Sequence, residues 1–237
     1  VLLAHGRAIQ AMRGLGMANL GGVFNFEWAQ PVDDTPEAVA AAGLYDDIYN
    51  RFFLSGVFKG EYPERIVAEL GAHFPTNWQD DFATITTPVD WCGLNYYTRK
   101  IIAPCDGPWP AHTEVDGPLP KTQMGWEIYP DGLYKFLKRT AAEYTGDLPL
   151  FVTENGMAAN DSVEDGSCSD TDRIDYINQH LQRVKQAADD GVPVQGYFLW
   201  SLMDNYEWAL GYEKRFGLVH VDFDSLKRTP KASYEAI

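Results

Sequence analysis

Four predominantly apolar runs, Leu20 to Asn25, Val89 to Tyr97, Leu150 to Thr153 and Val194 to Trp200, recur along the chain with helix-patterned segments between them. Apolar residues at successive positions, and not only at every second one, mark strands buried on both faces, as in a parallel sheet under helices. Ahead of the first run, Leu2, Leu3, Ile9 and Met12 have helical spacing that Gly14 and Gly16 break. Thr35-Pro36 opens a helix running to about Phe53, and a short one follows around Pro63 to Leu70. Leu133, Phe136, Leu137, Thr140 and Tyr144 mark the next, which stops at Gly146. Ile174, Ile177, Leu181, Val184 and Ala188 form the clearest amphipathic stripe, ending at Gly191. This alternation predicts an α/β fold of successive helix and strand units. Ala103 to Gly125, interrupted by Pro and Gly, predicts a long loop, and Thr229-Pro230-Lys231 the start of a last helix.

Composition narrows the partners. A 45% hydrophobic share favours a packed core over disorder, and a formal charge of −15 spread along the chain repels phosphate backbones and anionic lipid. Nucleic acid and membrane partners are therefore excluded. Cys92, Cys105 and Cys168 make neither a disulfide framework nor a zinc pattern, so a reducing, cytoplasmic compartment is expected. The five histidines lack metal-ligand spacing, and the glycines form no phosphate cradle before a helix, so neither a metal nor a cofactor is expected.

What remains is a small molecule, and the strand ends indicate its chemistry. Val152-Thr153-Glu154-Asn155-Gly156 puts a carboxylate where a buried parallel strand stops. Trp200 ends another strand, with Glu207 and Trp208 shortly after. Sugars offer C–H patches that stack on indole rings and hydroxyls that bond to carboxylates, so this combination points to a carbohydrate.

The strings VTENG, LWSLMDNYEW and EKRFGLVHVDFD resemble glycoside hydrolase family 1, the retaining β-glucosidases and β-galactosidases. The resemblance extends upstream through WCGLNYY from Trp91 and MGWEIYPDG from Met124, covering most of the chain in the family's order. It implies a (β/α)8 TIM barrel, with residues 1–237 as the C-terminal half of its single catalytic domain, roughly the last four β/α units. It further implies Glu154 as the nucleophile of a double displacement at terminal β-D-glucosyl residues, with Tyr97 donating a hydrogen bond to it. Asn95, Trp200, Glu207, Trp208 and Phe216 would surround the −1 sugar, and Trp126 would line the +1 side. Glu27, beside Trp28, faces the same expected pocket and is a candidate contact for outer sugars.

Two features set this chain apart from a whole member. The family's acid/base glutamate lies in an Asn-Glu-Pro motif, and no such string occurs here. Four tilted strands also cannot close a barrel, which would leave an inner face and two sheet edges open. The expected partner is accordingly the N-terminal half of the same barrel, or a second copy. The alternatives are a sugar-binding half-barrel without turnover, a β-galactosidase, or a thioglucosidase. Members specific for 6-phosphoglycosides typically carry Ser and Lys in the loop where Glu207 stands, so an unphosphorylated β-glycoside is expected.

Overall fold

The computed structural model describes residues 1–237. The chain runs α1 (Leu2–Gly14), β1 (Gly21–Pro31), α2 (Pro36–Asp46), α3 (Phe52–Lys59), α4 (Glu64–Leu70), α5 (Phe82–Ile85), β2 (Trp91–Pro104), β3 (His112–Val115), α6 (Pro130–Thr140), β4 (Leu150–Asn155), α7 (Thr171–Asp189), β5 (Val194–Leu199), β6 (Val219–Val221), β7 (Arg228–Pro230) and α8 (Ala232–Ala236). The four expected strands are β1, β2, β4 and β5, and they pair in that order, all parallel.

Three local features depart from the sequence expectation. The helix opened by Thr35 does not stop at Phe53: a π-helical turn at Asp47–Arg51 joins α2 to α3, and the helix ends at Gly60, whose φ of 69° suits glycine. Within the expected loop, β3 folds back antiparallel on the far end of β2, pairing Ile101 with Val115 and Pro104 with His112. Before the last helix, β6 and β7 form a short antiparallel hairpin.

One face of the parallel sheet is closed by helices. Phe26, Leu94, Tyr96, Leu150 and Val152 meet Leu133, Phe136 and Leu137 of α6 and Val184 and Ala187 of α7 in a single core. Each such side chain taken out of water stabilises the fold by roughly 1.5–3 kcal/mol before chain entropy is counted. The other face is open: Val23 is 48% and Phe198 57% exposed. β1 pairs only with β2 and β5 only with β4, so both outer edges of the sheet are free. Along the edge of β1 runs a cleft of about 530 Å³, lined by Leu2, Val23, Phe26, Tyr49 and Phe53 among others. No helix is long and apolar enough to cross a membrane.

The ladder is irregular within β1 and β2 and at both ends of β4. The β1–β2 register shifts between Phe26 and Trp28, the β2–β4 register at Leu94/Asn95, and the β4–β5 register between Val152 and Asn155. Such shifts leave backbone groups without ladder partners and re-aim side chains. At the first, Asn50 from the π-helical turn satisfies both groups of Glu27, accepting from its N–H at 3.3 Å and donating to its carbonyl at 2.8 Å.

Candidate active site

The shift between β2 and β4 decides what faces the open side. Asn95 and Tyr97, two residues apart, lie on the same face of β2, as the strand period requires. In a regular β4, Thr153 and Glu154 would point to opposite faces. Leu94 instead pairs with Val152 and Asn95 with Glu154, leaving Thr153 as the extra residue. Both side chains can therefore reach β2: Thr153 Oγ1 donates to Asn95 Oδ1 at 2.7 Å, and Tyr97 Oη donates to Glu154 Oε2 at 2.7 Å. Burial, followed by the bond to Glu154 and its charge, pushes the Tyr97 phenol well above its ordinary pKa, so it stays a donor.

Aromatic rings surround this pair. The Tyr97 ring lies 5.4 Å from Trp126 and 6.1 Å from buried Phe216, and those two rings are 6.4 Å apart. Trp200 follows β5, its backbone N–H donating to Asn155 O at 2.9 Å. Gly156 permits that approach, because a Cβ there would stand 1.9 Å from the Trp200 carbonyl oxygen. Burial, then the nearby Glu154 charge, raises the pKa of Glu207, with the Trp200 side chain opposing.

Two further candidate residues stand apart from the ring cluster. Trp208, at φ 44°, is 80% exposed and stands outside the ring cluster. Glu27 is taken up within the fold: its Oε2 accepts from Tyr45 Oη at 2.6 Å, and burial raises its pKa. Lys214, from the loop that carries Glu207, donates to Gln123 O at 3.2 Å.

A buried charge network anchors the Trp200–Trp208 loop, and sequence reasoning missed it. Asp204, wholly buried, accepts from Arg215 Nη1 at 2.6 Å, Lys231 Nζ at 2.9 Å and the Gly217 N–H at 3.0 Å. Lys231 also reaches Asp161 at 2.5 Å, and Asp161 pairs with Arg173 at 2.6 Å, which in turn bonds Asp170 at the start of α7. Burial pushes the Asp161 carboxyl up, but its bonds to Arg173 and then Lys231 outweigh that and hold it below the ordinary value. No periodicity announces such a network, because its members come from five separate segments. The one sequence-level signal was Asp204 standing between apolar residues and the Glu207 loop.

The model of the family described as "Glycosyl hydrolase family 1" matches residues 1–236. The chain belongs to glycosyl hydrolase family 1. Among family 1 relatives it is similar to Beta-glucosidase A of Thermotoga maritima, 40% identical over 98% of this chain and 53% of the relative. A 6-phospho-beta-galactosidase of Leptotrichia buccalis is 35% identical over 98% of this chain and 56% of its own length. Its fold is similar to the solved family 1 b-glucosidase from Thermotoga maritima, with a TM-score of 0.94 and 38% identity, covering 98% of this chain and 53% of that one. The chain spans about half the length of the curated relatives it matches. The four parallel strands with their helices are accordingly part of the family 1 TIM barrel, as expected from sequence.

Proposed function

We propose that residues 1–237 form the C-terminal, nucleophile-bearing half of a single (β/α)8 catalytic domain that hydrolyses terminal β-D-glucosyl residues with retention. The observation that carries this reading is the 2.7 Å bond from Tyr97 to Glu154, between adjacent parallel strands and at the C-terminal end of β4, where barrel enzymes place their chemistry. Glu154 attacks the anomeric carbon and expels the leaving group, giving a covalent glycosyl-enzyme that water then cleaves. Tyr97 donates to the carboxylate oxygen and fixes its orientation. Asn95, Trp200, Glu207, Trp208 and Phe216 hold the −1 sugar, and Trp126 stacks on the +1 group.

The proton for the leaving oxygen comes from a second carboxyl about 5–5.5 Å from the nucleophile in a retaining enzyme. We assign it to a partner, the N-terminal half of the same barrel, seated against the free edges of β1 and β5. The isolated chain is then inactive or nearly so. The substrate is an unphosphorylated β-glucoside or cello-oligosaccharide: Glu207 presents a carboxylate where a phosphate would need a cation, and Lys214 is engaged at Gln123. Three free cysteines, Cys92, Cys105 and Cys168, support a reducing, cytoplasmic setting.

Glu207→Ala removes acceptors for sugar hydroxyls that strengthen in the transition state. In the completed barrel, kcat/KM for an aryl β-glucoside falls by roughly 10²-fold or more, equivalent to about 3 kcal/mol. An unchanged kcat/KM removes Glu207 from the −1 site.

The reading is tested by exposing the protein to a 2-deoxy-2-fluoro-β-glucoside with a good leaving group, which needs little acid assistance, and reading intact mass and the modified peptide. A mass increment on Glu154 is the expected result. Reversible sugar binding with no increment, even with the other half supplied, replaces the enzyme by a sugar-binding half-barrel.

A further inference from the structure

We infer that Asn155 is a positioning residue that sets the separation of Glu154 and Tyr97. Its side chain is wholly buried and makes three bonds: Nδ2 donates to Tyr96 O at 2.7 Å and to Tyr176 Oη at 2.9 Å, and Oδ1 accepts from Tyr197 Oη at 2.7 Å. Its backbone carbonyl accepts from Trp200 N at 2.9 Å. One residue therefore ties β4 to β2, β5 and α7. The attachment on β2 is the peptide between Tyr96 and Tyr97, and Asn155 itself adjoins Glu154, so the amide braces the two donor and acceptor groups from directly behind.

The reason lies in the register shifts. Turning both Thr153 and Glu154 toward the open face breaks the β2–β4 ladder at Asn95, and the β4–β5 ladder is broken over the same residues. Backbone pairing cannot hold the strands at fixed spacing there. A side chain with two N–H donors and one carbonyl acceptor replaces the lost bonds, and only an amide offers both within that volume. Asn50 meets the same need at the shift in β1, where it binds both backbone groups of Glu27. Tyr176 is itself held, its ring centre 4.0 Å from that of buried His180, tilted by 31°. Glu154 and Tyr97 face the open side, whereas Asn155 faces the core, so it acts without touching a ligand.

The geometric half of this inference does not depend on the proposed activity; the kinetic half rests on it. The 237-residue chain is prepared with 13Cζ-tyrosine, and the Tyr97 resonance is assigned by its loss in Tyr97→Phe. In Asn155→Leu, and in the milder Asn155→Ser should the first not fold, that resonance moves toward its position in Glu154→Ala, where the phenol has lost its carboxylate. Circular dichroism and melting confirm that the variants are folded. An unmoved Tyr97 resonance in a folded variant overturns the inference.

The second readout is labelling by the 2-fluoro-glucoside. The inactivation rate constant falls by about 10–100-fold, the scale of a misplaced reacting group, while the half-saturating concentration stays within about twofold. A wild-type rate constant with only a smaller labelled fraction means that Asn155 merely supports folding, and also overturns it. If the wild-type chain takes no label with the other half present, the glycosidase reading fails, and the Tyr97 resonance alone decides the role of Asn155.

Discussion

Glu154→Gln lowers turnover of an aryl β-glucoside by roughly 10⁴- to 10⁶-fold in the completed barrel, the scale seen when a nucleophile is removed from a site that otherwise remains intact. The amide keeps the shape of the carboxylate and can still accept from Tyr97, so binding of a ground-state inhibitor changes little. What it loses is the electron pair that forms the glycosyl-enzyme bond. Steady-state rates and inhibitor titration on the same preparation separate the two effects. Turnover within about tenfold of wild type rules Glu154 out as nucleophile, since that corresponds to only about 1.4 kcal/mol of transition-state stabilisation.

The largest effect on stability is expected at Lys231. Its ammonium is wholly buried between Asp161 and Asp204. Lys231→Met removes the shared cation and leaves two buried carboxylates with one cationic partner each, Arg173 for Asp161 and Arg215 for Asp204, costing roughly 3–5 kcal/mol. For a chain of this size the melting temperature drops by roughly 6–20 °C. Thermal unfolding followed by circular dichroism checks this, and a drop under about 2 °C refutes the network's role. The sign with pH follows from Asp161. Its folded pKa is depressed, so its stabilisation is present above the unfolded value and disappears as pH falls through the folded one. Acid therefore destabilises the wild type more steeply than the variant, whose Asp161 has lost one of its two cationic partners.

The positions of the strands were legible because burial on both faces leaves long apolar runs, and the expected cores of β1, β2, β4 and β5 all lie within strands. Helices were legible from caps and stripes: Thr35 before Pro36 accepts from Ala38 N at 3.3 Å, as a capping threonine should. The π-helical turn at Asp47–Arg51 was not, because a widened turn alters only which side chains face inward over a few residues. β3 was hidden because His112 to Val115 is short and largely polar at a sheet margin. At the site, strand period placed Asn95 and Tyr97 together. Period alone separates Thr153 from Glu154, and only the register shift reunites them. Trp126 and Phe216 came from sequence likeness and do meet Tyr97, whereas Trp208 stands exposed and the bond from Glu27 to Tyr45 is a long-range pairing with no local signal.

The strand order has a dynamic consequence. β2 and β4 each have neighbours on both sides, whereas β5 is paired on one side only. Tyr97 and Glu154 therefore belong to strands held on both sides, whose amide protons are expected to exchange more slowly than those of β5, the edge strand that Trp200 and Glu207 follow. The chain has two mechanical zones across one site: a stiff Tyr97–Glu154 pair, and a compliant loop after Trp200 whose rigidity depends on what lies beyond β5.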